Sequence, residues 1–173
     1  MNRRHAFLGL AAASLSTPLL ISRAQAQTAG RTFSPTEHLA MTLMGGTLAK
    51  QTSQIALERA VNPHVKQFAG FEIAEQTALA QVLTDVANPP PVPLDAEHQA
   101  MLTSLQGLTG PAFDRAYVQS QIQGHQELLL IQQGYLENTN RTPDGQHIAV
   151  LARASIQQHL TMLQDLSMML QRG

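Results

Sequence analysis

Three segments of this chain put a residue able to hold a proton or a metal where the apolar period asks for a core residue. The series 65, 68, 72, 76, 79, 83, 86 brings Glu72 and Gln76 into line with Val65, Phe68, Leu79, Leu83 and Val86. The series 113, 117, 121, 125, 128 does the same for Gln121 and His125, and 148, 152, 155, 159, 162, 166 for Ser155 and His159. A fourth segment falters between Leu48 and Ile55, where Gln51, Thr52, Ser53 and Gln54 stand. Polar groups withdrawn from water without partners cost about 1–3 kcal/mol each, so a layer of this kind is either a hydrogen-bonded network or a binding site. As a network, Gln51, Gln54, Gln76, Gln121 and Ser155 form a polar core layer that fixes helix register. As a site, His125, His159 and Glu72 supply the two imidazoles and one carboxylate of a facial metal triad. Glu75 is the substitute carboxylate, because Phe71, Ala78 and Val82 make a competing stripe that would turn it inward. The sequence contains no Glu-x-x-His, so a di-metal centre of the kind built in helical bundles lacks its ligands.

The elements that must carry these residues are legible from their ends. Ser34-Pro35-Thr36-Glu37 is a capping box with proline at the first helical position, and the helix it opens runs to Val61-Asn62-Pro63. Asn62 caps a second helix, which ends at Asn88-Pro89-Pro90-Pro91-Val92-Pro93. That proline stretch is an extended crossover, good for roughly 15–20 Å at about 3.1 Å per residue. A short helix is expected from Asp95 to about Gln106, a long one from Pro111, and a last one from the Thr142-Pro143 cap to about Gln171. On the long helix Phe113, Tyr117, Leu128, Ile131 and Tyr135 share one face, with Asp114, Arg115, Gln119, Gln126 and Gln133 expected in water. His38, His64, His98 and His147 lie near helix starts and are expected to be exposed. No β alternation persists. The reading is an all-α four-helix bundle with one short extra helix and a proline-rich crossover. Gly45-Gly46 inside the first helix points to a close helix approach or a kink.

Ahead of the bundle, residues 1–26 read as a signal peptide: Arg3 and Arg4, an apolar stretch from Ala6 to Ile21, and Ala24-Gln25-Ala26 as cleavage site. Residues 27–33 then form a flexible lead-in, and 34–173 the bundle domain. Arg3-Arg4 stands two residues before Phe7-Leu8, one more than the twin-arginine pattern, so either export route fits. The expected compartment is the periplasm, and the mature chain has no integral membrane span. It carries eight basic and twelve acidic side chains, leaving no basic footprint for nucleic acid. The absence of cysteine excludes disulfides, thiolate metal sites and cysteine nucleophiles. Only 13% of residues are charged, and 20 glutamines make up the polar surface.

Several segments together resemble a known family. Gly45-Gly46, the run Ala60-Val61-Asn62-Pro63-His64-Val65-Lys66-Gln67-Phe68-Ala69, Phe113-Asp114-Arg115-Ala116-Tyr117-Val118, His125 and His159-Leu160 are similar to the exported bacterial domain of unknown function 4142. The resemblance covers about residues 34–171 and implies a ferritin-like helical bundle of the bacterial envelope, of a kind often labelled outer membrane protein. The family pattern has a glutamate soon after the glycine pair and a histidine on the second helix. The matching positions here are Ala49 and Gln76, so only His125 and His159 remain of that set.

Two functions from different classes follow. One is a non-catalytic envelope protein acting through its helical surface, on an envelope partner or on itself, with no cofactor expected. The other is a bundle that binds a divalent transition metal through His125, His159 and a carboxylate of the second helix. The depleted ligand set favours the first. The relative placement of His125 and His159 separates them: rings at different heights leave the metal reading without a basis.

Overall fold

The computed structural model describes residues 30–172, and the expected signal peptide lies outside them. Five helices account for most of that span: α1 Pro35–Arg59, α2 Pro63–Ala87, α3 Ala96–Gln106, α4 Gly110–Glu137 and α5 Pro143–Arg172. Among the described residues there is no strand. Four of the five starts have a side-chain cap, and α4 opens on Gly110-Pro111 without one. Ser34 Oγ accepts from Glu37 N, and the Glu37 carboxylate accepts from Ser34 N at 2.9 Å, closing the capping box of α1. Asn62 caps α2 by accepting from His64 N, and Asp95 caps α3 by accepting from His98 N. Gly145 N donates to Thr142 Oγ1 at the start of α5. The second helix ends on Asn88, which takes a left-handed conformation (φ 41°) before the prolines.

Inter-helix contacts fix the directions. Gly46 meets Gln76, so α1 and α2 are antiparallel; Ser53 bonds Tyr117 while Gly45 meets Leu128, so α1 and α4 are antiparallel too. His125 meets His159, and Tyr135 meets Thr142, which sets α4 against α5. Helices α2 and α4 therefore run parallel, and the prolines plus α3 carry the chain back down the bundle between two helical hairpins. A single long crossover of this kind is one of the established wirings of four-helix bundles. The α2–α5 seam is the loosest of the four sides, with few approaches between its helices.

The glycine pair answers a packing need. A Cβ on Gly45 would lie 2.7 Å from Leu128 Cδ2, and one on Gly46 would lie 2.5 Å from Gln76 Oε1, so with these neighbours in their present rotamers the close approach of α1 uses the missing side chains. The core divides in two. Val65, Phe68, Phe113, Tyr117 and Leu163 lead the lower cluster, and Phe33, Leu128, Ile131, Tyr135 and Ile156 the upper one. Between them sits a polar layer.

Three details differ from the sequence reading. The expected flexible lead-in ends on an anchor: Phe33 is fully buried, its amide bonds Gly134 O at 3.4 Å, and its carbonyl accepts from Asn138 Nδ2. The stripe of α5 runs through Ile156 and Leu163, leaving Met162 and Met169 partly in solvent, because the helix turns its histidine side toward α2 and α4. Asp114 was expected in water but is 1% exposed. Its two carboxylate oxygens accept from the backbone amides of Val61 and Asn62, at 3.1 and 2.8 Å, in the α1–α2 joint.

Candidate metal centre in the polar layer

Helices α2, α4 and α5 each deliver one side chain to a common point at mid-bundle. Glu72 is 0%, His125 1% and His159 7% exposed. Glu72 Oε2 lies 3.3 Å from His125 Nε2 and 3.0 Å from His159 Nδ1, and the two ring nitrogens lie 3.2 Å from each other. Phe68 closes the lower side, edge-on to the His159 ring. The question of rotation on α2 is thereby answered: Glu72 faces the core, Phe71 and Val82 are about half exposed, and Glu75 stands at the rim.

The outer partner of His125 assigns its tautomer. His125 Nδ1 is 2.8 Å from the carbonyl oxygen of Gln121, which can only accept, so Nδ1 carries the hydrogen and the neutral ring presents a lone pair at Nε2. His159 Nδ1, 3.2 Å from that lone pair and 3.0 Å from Glu72 Oε2, is then the donor in the metal-free chain; a metal ion there would take Nδ1 and move the ring hydrogen to Nε2, 3.4 Å from Glu75 Oε2. Glu75 is itself held by Ser155 Oγ, which donates to Oε2 at 2.6 Å. Glu72 Oε1 accepts from Gln76 Nε2 at 2.9 Å, whereas Oε2 receives no well-directed hydrogen bond. Three potential ligand atoms thus converge on one point, where the ring hydrogen of His159, or a metal ion in its place, sits between them. The electrostatics agree. Burial works to raise the Glu72 carboxyl, but the contacts and charges of His125 and His159 outweigh it and hold the group at about 2. Burial works to lower His159, and the carboxylates of Glu72 and Glu75 outweigh that in turn, leaving its imidazole above the ordinary value.

The separations suit a metal. Ligand atoms about 2.0–2.2 Å from one ion, at angles of 90–110°, stand roughly 2.9–3.4 Å apart. The buried Glu72, His125 and His159 can hold such an ion. Around them is the outer arrangement that metal-binding histidines use: His125 donates its other N–H to the Gln121 carbonyl, and the Glu75 carboxylate stands 3.4 Å from the other nitrogen of His159.

The sequence match that bears on this chain spans residues 21–166 and is to the family described as domain of unknown function DUF4142. The chain belongs to that family. No curated protein and no solved structure matches it. Two positions that the sequence resemblance singled out in this DUF4142 chain border the cluster: Gln76 orients Glu72, and Ala49 offers its carbonyl to Ser53 Oγ and Gln121 Nε2.

The rest of the expected polar layer divides. Gln76 and Gln121 are buried, and Gln121 Nε2 donates to Thr52 Oγ1 at 2.8 Å while its Oε1 has no partner. Ser155 is half-buried beside Glu75. Gln51 is only half-buried and Gln54 is exposed; the first helix turns the smaller Thr52 and Ser53 inward, because Gly45 and Gly46 bring its backbone too close for glutamine. Of the four histidines expected in solvent, His64 and His147 are exposed, but His38 and His98 are buried. His38 bonds Gln132 Oε1 at 2.6 Å, and His98 bonds Asp95 Oδ1 at 2.6 Å with Glu127 3.8 Å away. A signal for His98 existed: Leu102 and Leu105 follow it at four and seven residues.

Proposed function

We propose that this protein binds one divalent transition-metal ion at mid-bundle, through Glu72 Oε2, His125 Nε2 and His159 Nδ1. The observation that carries the reading is the convergence of three buried ligand atoms, 3.0–3.3 Å apart, with the Gln121 carbonyl already turning the Nε2 lone pair of His125 toward the common point. Two imidazoles and a carboxylate suit iron(II), manganese(II) or zinc(II), and three protein ligands leave coordination positions for water or a substrate. The metal reading gains over a purely surface-acting protein because both histidines lie at one height and face one carboxylate.

The test is elemental analysis of protein purified without a histidine tag and offered Fe(II), Mn(II) or Zn(II). One equivalent of one of these is expected, lost in His125→Ala and His159→Ala. Protein that takes up no stoichiometric metal overturns the proposal.

Export to the periplasm is proposed on the leader alone, with its arginines, apolar stretch and Ala24-Gln25-Ala26. Mass spectrometry of the native protein should find Gln27 at its N-terminus; intact Met1 would contradict this. Among the described residues no helix is long and apolar enough to cross a membrane.

A further inference from the structure

A second feature lies at the opposite end of α4 from the lower core, and it shares no residue with the metal cluster. Between the start of α1, the end of α2 with its prolines, and the start of α5 is a cavity of about 480 Å³. Small-molecule sites fall in the range of roughly 300–1,000 Å³. It borders Tyr135, ten residues along α4 from His125, or about 15 Å at the helical rise. Its walls are mostly aliphatic, with Leu39, Leu83, Val86, Pro90 and Ile148 prominent.

One buried polar side chain reaches it. His38 is 2% exposed and lines the cavity. Gln132 donates to Thr42 Oγ1 through Nε2 and presents Oε1 to His38 Nε2, so Nε2 carries the ring hydrogen. The lone pair is then on Nδ1, and among the described residues the one hydrogen bond of the ring is that to Gln132. The ring is clamped flat on Tyr135, with centroids 3.9 Å apart, and cannot swing away to find a partner. The Tyr135 hydroxyl is already engaged by Thr142 N.

Charge narrows the class of ligand. The walls carry Asp144 and no lysine or arginine. Burial holds the His38 imidazole below its ordinary value, against the opposing effect of Gln132, so the ring is neutral at pH 7. No cationic side chain there would compensate a carboxylate or phosphate, and Asp144 would repel one, which disfavours fatty acids and phospholipid head groups. We propose that this cavity binds a neutral, apolar small molecule bearing a hydroxyl group, which donates its hydrogen bond to His38 Nδ1.

The test uses the purified protein and three probes of nearly equal shape: 2-naphthol, 2-methoxynaphthalene and 2-naphthoate. Saturable binding of 2-naphthol, followed by its fluorescence, is expected, with 2-methoxynaphthalene about five- to tenfold weaker for want of a donor. The naphthoate anion should not bind. Val86→Trp, at a half-exposed wall position, should fill the space and abolish binding at unchanged melting temperature. His38→Phe keeps the stack on Tyr135 and should erase the preference for naphthol over its methyl ether. Absence of saturable naphthol binding, equal affinity for naphthol and its ether, tight binding of the anion, or binding that survives Val86→Trp would each overturn the proposal.

Discussion

His159 has a carboxylate on each side, and His38 has none. That contrast makes the two histidines titrate apart, and it gives the cluster a pH signature of its own. In metal-free protein the ring protons of His159 are expected to titrate above 6.5 and those of His38 below it. Glu72→Gln should bring His159 down, and a proton NMR titration reads both. The stability consequences carry opposite signs. The raised His159 contributes stability fully present below 6.5 and lost as pH rises through its folded value. Glu72, held at about 2, contributes stability present above 4.5 and lost as pH falls through about 2. Metal affinity runs the other way from His159, weakening below about pH 6 as the imidazoles protonate. A second residue-scale prediction concerns Gly46. Gly46→Ala pushes the Gln76 amide off Glu72, since the new Cβ would stand 2.5 Å from Gln76 Oε1. Metal affinity should fall by about tenfold or more, as loss of an outer-sphere partner does. Folding stability should change little, the strain being offset by roughly 1 kcal/mol of helix propensity. Calorimetric titration and urea melts separate the two effects.

At the scale of elements, the joint between α1 and α2 is held by a side chain of α4. The two Asp114 oxygens take both backbone amides of that joint, so Asp114→Ala leaves two donors of a half-buried joint without their partner. The expected cost is about 2–4 kcal/mol. Asp114→Asn, which keeps one acceptor oxygen, should cost less; urea midpoints with unchanged slopes check both. This joint makes one contact in three dimensions of two separated stretches, Val61-Asn62-Pro63 and Phe113-Asp114. The ends of the helices were legible because caps are local chemistry, written in Ser34, Asn62, Asp95 and Thr142 within three residues of the amides they meet. The rotation of the helices was less so. Asp114 and His38 look like surface residues in one dimension, since their partners, the Asn62 amide and Gln132, lie 52 and 94 residues away. Glu72, His125 and His159 could be placed on stripes from spacing alone, but not at a common height. Height depends on how far each hairpin slides, and here the Gly45-Gly46 contact with Leu128 and Gln76 sets it.

Over the whole molecule, two apolar clusters sandwich a polar layer that is costly to leave bare. An ion at 100 times its dissociation constant would stabilise the native state by about 2.7 kcal/mol. That corresponds to a rise of several degrees in Tm for a domain of this size. The increment should appear with whichever of iron(II), manganese(II) or zinc(II) is bound, grow from pH 6 to pH 8, and vanish in His159→Ala. Differential scanning calorimetry measures it. An increment that persists in His159→Ala would place the stabilising ion elsewhere.

The loose α2–α5 seam bears on timing. Glu75 and Ser155 line a cleft of about 250 Å³ along it, and His159 touches Glu75 from within. An incoming ion then has to displace a rotamer of Glu75, and no helix need leave the bundle. Side-chain rotations of that kind take nanoseconds, whereas parting the helices waits on unfolding events of seconds to days. Uptake by the already folded chain should therefore be complete within a stopped-flow trace, far ahead of the rate at which the same chain unfolds in water.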